Sequence, residues 1–133
     1  MNILDANILI RYFVEDDKDK ADRCEKLFEK AIKGEVDLYI LDIVIAEIIW
    51  VMDSFYKLNR LKIKECLMKV INTPHINFQN RYIILDAVNT YADKNVDFID
   101  AYQAAFMKNK NIKTVFSYDT DFDKLSGIER EEP

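Results

Sequence analysis

Asp5, Glu47, Asp97, Asp100 and Asp119 each stand inside or at the edge of an apolar segment, where an ionised carboxylate is costly to bury. No matching set of Lys or Arg accompanies them, so the pattern predicts that the compensating cation is a metal ion. Carboxylate oxygens suit Mg2+, with Mn2+ as a substitute, and Mg2+ takes few carboxylates per ion, which leaves room for waters and phosphate oxygens. Two such ions roughly 3.5–4 Å apart can clamp the attacking and leaving oxygens of an in-line phosphodiester cleavage. Water activated in this way needs no histidine base. The one histidine, His75, follows Pro74 and reads as a surface residue. Nothing in the sequence supports an HExxH or Ser-His-Asp mechanism, and a Cys-His pair has no recognisable motif.

Each acid also has a plainer role open to it. Asp5 closes the apolar run Asn2-Ile3-Leu4 and could N-cap the helix that follows, while Asn7 could orient its carboxylate. Glu47 is the only polar residue between Ile43 and Met52, which predicts a buried glutamate; the alternative is a narrow exposed stripe with Ile43 and Asp53. Asp97 and Asp100 share a helical face at i, i+3 spacing, a pattern that also suits capping and the helix dipole. The small residues Ala101, Ala104 and Ala105 after Asp100 suggest close packing that turns Asp100 inward. In Ser117-Tyr118-Asp119-Thr120-Asp121-Phe122-Asp123, Asp119 lies nearest the strand end, Asp121 comes second and Asp123 is expected to be solvated. Which of Asp119 and Asp121 is the site acid stays open.

Short apolar strands alternating with amphipathic helices must position these residues. Strands are predicted at 2–4, 38–41, 75–78 and 114–116, with an edge strand at 128–130. Helices are predicted at 6–14, 18–33, from Asp42 as N-cap to about Tyr56, 61–71, 81–94 and from Asp97 to about Asn109, with a helical turn at 122–125. This alternation indicates an α/β fold with a mainly parallel central sheet of four or five strands flanked by helices. Ligands in such folds bind beyond the carboxyl ends of strands, where Asp5 and Asp119 fall.

The 133 residues are expected to form a single domain spanning 1–133. Half of them are hydrophobic and 32% charged, which excludes a disordered chain, and no apolar run reaches the length of a membrane span. The opening residues carry no signal-peptide pattern, and Cys24 and Cys66 lack CxxC spacing, so a reducing, cytoplasmic location is expected. The net charge of −5 argues against a nucleic-acid partner only if the acids are bare, because two divalent ions would cancel most of it.

The order of strand-Asp5-x-Asn7, helix-borne Glu47, Asp97-Phe98-Ile99-Asp100-Ala101 and strand-Ser117-x-Asp119 resembles the PIN-domain ribonucleases, over essentially the whole chain. Its stand-alone length resembles the VapC-type toxins of toxin–antitoxin pairs. The resemblance implies a PIN-like fold and a Mg2+-dependent endoribonuclease acting on RNA, homodimeric, and inhibited by a cognate antitoxin. It makes Asp5, Glu47, Asp100 and Asp119 the catalytic, metal-binding acids and Asp97 a frequent additional one. Asn7 and Ser117 match small polar positions that support the first and last acids, although Thr is typical where Ser117 stands. The family varies between the Asp119 and Asp121 positions for the fourth acid.

Arg11, Lys18, Lys20, Arg81, Lys108, Lys110 and Lys113 could follow an RNA backbone, or simply be solvated. The apolar excess of Ile8, Leu9, Ile10, Tyr12, Phe13 and Val14 serves core packing or a dimer or antitoxin groove. Two other readings are open on the residues alone. One is a Mg2+-dependent phosphotransfer domain with Asp5 as acceptor, although Val115-Phe116-Ser117 lacks the lysine such a site needs. The other is a non-catalytic interaction module whose acids are caps and surface charge.

Overall fold

Five short strands and six helices form where the apolar runs and the 3.6-residue period place them. The structure, a computed structural model, describes residues 1–133. They fall into two compact units, Met1–Arg81 and Tyr82–Pro133.

The first unit contains β1 (Asn2–Ile3), α1 (Ala6–Val14), α2 (Lys18–Ile32), β2 (Leu38–Ile40), α3 (Asp42–Ser54), α4 (Arg60–Ile71) and β3 (Ile76–Phe78). Its strands form a parallel sheet in the order β1-β2-β3, with Asn2 opposite Leu38 and Tyr39 opposite Asn77. Side-chain caps start three of its helices. Asp5 accepts from the Ala6 amide at 2.8 Å, Asp17 from Lys20 at 3.1 Å and Asn59 from Lys62 at 2.8 Å. Such caps typically contribute about 1 kcal/mol each. Leu9, Ile40, Ile45, Ile48, Met52, Ile63, Leu67 and Ile71 fill the core. The Tyr12 ring packs 4.5 Å from that of Phe28, joining α1 to α2.

Two sequence expectations fail here for identifiable reasons. Asp42 does not cap α3: Leu41 holds the cap position, with no side-chain cap bond. The Asp42 carboxylate accepts instead from the Asn80 amide at 2.7 Å, and its own N–H donates to the Gln79 side-chain oxygen at 3.0 Å. The loop after β3 thus supplies the polar partners. His75 also lies outside β3. It takes a left-handed φ of 61°, and its Nδ1 sits 3.1 Å from an Asp37 oxygen. Gly34, which ends α2 at φ 75°, faces this ring so closely that a Cβ there would come within 3.3 Å of Nε2.

The second unit contains α5, which opens at Arg81 and runs to Lys94, then α6 (Phe98–Lys110), β4 (Thr114–Phe116), a short 3-10 helix η1 (Thr120–Lys124) and β5 (Glu129–Glu131). β4 and β5 pair in parallel, with Val115 opposite Arg130. Every strand pairing in the chain is therefore parallel, with hydrogen bonds grouping three strands in one unit and two in the other. Ile84, Val88 and Tyr91 of α5 are buried, as are Phe98, Ala101 and Ala105 of α6 and Phe122 of η1. No helix is long and apolar enough to cross a membrane.

Candidate metal centre

The first turn of α6 and the segment after β4 bring three carboxylates together in the second unit. Ala101, Ala104 and Ala105 are buried, so α6 packs closely along this face and leaves Asp100 half-buried at its start. Asp119 follows β4 and N-caps η1, its Oδ1 accepting from the Asp121 amide at 2.9 Å. The Asp119 amide in turn donates to the Ser117 hydroxyl at 2.9 Å. These local bonds shape the loop, and one ligand oxygen each from Asp100, Asp119 and Asp121 lies within 4.8 Å of the others.

Three carboxylates so close cannot all ionise without cost. Partial burial is the largest influence on Asp100, followed by a hydrogen bond with Asp119 and the charges of Asp119, Asp97 and Asp121; together they push its carboxyl up to about 6. Asp119 moves the other way, held low first by the Asp121 amide and then by the Asp100 hydrogen bond, with help from Lys124 and Arg130. The two groups are thus pushed apart, Asp100 up and Asp119 down. Lys124 lies 2.9 Å from Asp121 and offsets part of the remaining negative charge. The donor set consists only of hard oxygens, which fits a divalent cation of the Mg2+ or Mn2+ kind.

Arg130 braces this loop and was not foreseen from the sequence. Its side chain is only 15% exposed. It donates to Asp123 at 3.0 and 3.3 Å, to Glu132 at 2.9 Å and to the Ser117 carbonyl at 3.0 Å. Asp123 is exposed, as expected, and is also held by a two-pronged ion pair. The available signal was an arginine inside the last strand pattern, shortly after a run of acids.

The other candidates are more exposed than their sequence context suggests; no charged residue of the chain is buried. Glu47 lies on the open side of α3, because Ile43 and Trp50, on the same face, are themselves 74% and 68% exposed. Apolar neighbours in sequence therefore did not mean burial, and the exposed-stripe alternative describes Glu47. Asp5 is exposed and serves as the α1 cap, with Asn7 exposed two residues later. Asp97 occupies the α6 cap position but makes no side-chain cap bond; its charge acts on Asp100 instead.

Several basic candidates are also engaged. Arg11 pairs with Asp16 at 2.8 Å, and Asp16 accepts the Tyr56 hydroxyl as well. Arg81 donates to the Ile71 carbonyl and lies over the Phe78 ring. Cys24 and Cys66 are free and buried, and burial pushes both thiols up, which disfavours a thiolate nucleophile.

Comparison with known proteins adds two observations. The family model for the PIN domain matches residues 3–128. A VapC ribonuclease of Aquifex aeolicus is 26% identical over 125 residues, covering 94% of this chain and 92% of that protein.

Proposed function

The chain belongs to the PIN-domain family, and on that premise we propose that it is a divalent-metal-dependent endoribonuclease and the toxin of a toxin–antitoxin pair. The observation that carries the reading is the meeting of Asp100, Asp119 and Asp121, one oxygen of each within 4.8 Å of the others. The likeness to a VapC ribonuclease over almost the full length supports RNA as substrate and an antitoxin as partner.

Residues 1–133 act as one nuclease domain in this reading. Asp100 and Asp119 would hold the ion, Mg2+ or its substitute Mn2+, and Asp5 and Glu47 are the further acids to which the resemblance assigns that role. Asp97 and Asp121 add negative charge at the α6 and β4 ends, and Asn7 and Ser117 orient the first and last acids. When bound, the ion supplies Lewis-acid stabilisation of the phosphoryl oxygens and lowers the proton affinity of the attacking water. The chain's own residues do the rest. Asp100, pushed up to about 6, is mostly ionised at neutral pH and open to a cation, Asp119 keeps its orientation through the Asp121 amide, and Ser117 fixes the backbone beneath it. Exposure of Asp5, Asp119 and Glu47 suits a site that must admit a polymer. A cytoplasmic location suits the same substrate. A homodimer, which the resemblance implies, belongs to the same reading.

Cleavage of single-stranded RNA in Mg2+ tests the reading. Activity should vanish in EDTA and in Asp119→Asn, while the Asn variant keeps its circular dichroism and melting profile. Full activity in excess EDTA would overturn the metal mechanism.

A further inference from the structure

A hollow of about 330 Å3 opens in the second unit along the C-terminal half of α6, at the small end of the range of small-molecule sites. Four lysines line it, Lys94, Lys108, Lys113 and Lys124, against one carboxylate, Asp86. This is a local excess of positive charge in a chain whose net charge is −5. The helix dipole accounts for Lys94 and Lys108, which lie in the last turns of α5 and α6. It does not account for Lys113, which precedes β4, or for Lys124 at the end of η1.

Partners further separate the four. Lys108 is 3.7 Å from Asp86, and Lys124 is 2.9 Å from Asp121. Lys94 and Lys113 make no ion pair and no side-chain hydrogen bond, so two unpaired ammonium groups line the same hollow. The opposite character is also present. Ile112 is 45% exposed and Ile128 is half-buried, giving the hollow an apolar side.

From this pairing of unpaired lysines with an apolar wall, we infer that the hollow binds a phosphate-bearing ligand with a flat or apolar body, of which a nucleotide is the simplest example. The lysines take the phosphate and the isoleucine side takes the base. The same chemistry is offered by a free mononucleotide and by one nucleotide of an RNA strand. The inference stands on the hollow itself and does not require the nuclease reading.

Titration of 15N-labelled protein with AMP, in EDTA at low salt, tests it. EDTA prevents the acidic cluster from recruiting phosphate through a cation, so the result is independent of catalysis. Amide shifts should concentrate at residues 94, 111–113 and 124–128, and the affinity should fall as salt rises. Adenosine, lacking the phosphate, should bind at least about tenfold more weakly, and the double variant Lys94→Gln/Lys113→Gln should lose a similar factor. Both lysines are exposed, so that variant should keep the wild-type melting profile. Lys18→Gln/Lys30→Gln on α2 should leave AMP affinity unchanged. A short 2′-O-methyl RNA separates the sources: tighter binding than AMP through the same lysines identifies an RNA strand, and weaker binding identifies the free nucleotide. Equal affinity of adenosine and AMP, or no effect of the Lys94/Lys113 variant, would overturn the inference.

Discussion

A carboxylate oxygen of Asp100, in the first turn of α6, lies within 4.8 Å of one from Asp119, which caps η1. Partial burial and this neighbour together push the Asp100 carboxyl up to about 6. The loop thus groups oxygens of the kind a divalent cation binds, and each charge-removing change should act both with and without the cation.

Asp100→Asn is expected to preserve or slightly raise the stability of the cation-free protein at neutral pH, because it removes like-charge repulsion. The same change should abolish the stabilisation that Mn2+ gives the wild type. Melting curves with and without Mn2+ check both halves. Equal stabilisation of variant and wild type by Mn2+ would count against Asp100 as a ligand.

The pH dependence has a definite sign. Asp100 is raised to about 6 when folded, so the folded chain holds this proton more tightly than the unfolded one. The stabilisation is complete below the ordinary carboxylate value of about 4 and is lost as pH rises through about 6. Solvent screening keeps it to about 1 kcal/mol or less. Urea denaturation in EDTA, at intervals from pH 4 to 7, should show the fall in wild type and not in Asp100→Asn. Asp119 and Asp16, both depressed, act at lower pH and in the opposite direction.

Proton and metal compete for the same oxygens. Mn2+ affinity should therefore rise by up to about tenfold per pH unit below about pH 6 and flatten above it. Calorimetric titration at several pH values reads this directly. A pH-independent affinity would mean that the cation binds elsewhere.

Glu47→Gln separates stability from activity. Glu47 is exposed, so the substitution should change unfolding free energy by no more than about 0.5 kcal/mol. If Glu47 holds the ion, RNA cleavage should nonetheless collapse. Unchanged cleavage would remove it from the site.

Arg130→Met should loosen the braced loop without touching any ligand acid. Hydrogen exchange at residues 119–124 should speed up, and Mn2+ affinity should weaken by about tenfold, as when other supports around metal ligands are lost. Unaltered exchange there would show that the ion pairs of Arg130 are not what holds the loop.

The helices and strands were largely legible because local signals agree with one another. α1, α5 and β4 fall at the residues where period and flanking polar groups predicted them. Asp100 and Asp119 were legible as candidates, one from the small-residue face beside it and one from its place after a strand, and the structure brings the two together. Exposure was not legible. Glu47 sits among apolar residues that themselves face outward, and a one-dimensional pattern cannot distinguish this from a buried helix. Partners distant in sequence were equally hidden: nothing near Asp42 announces Gln79 and Asn80, and nothing near Asp123 announces Arg130 as more than a surface charge.

Lys124 faces two obligations, lining the lysine-rich hollow while its ammonium holds Asp121. A single flexible side chain cannot serve both fully, so improving one neighbour's hold on it weakens the other's. Attempts to strengthen the acidic cluster by engineering at position 124 would therefore alter the hollow too, and activity screens alone would conflate the two effects.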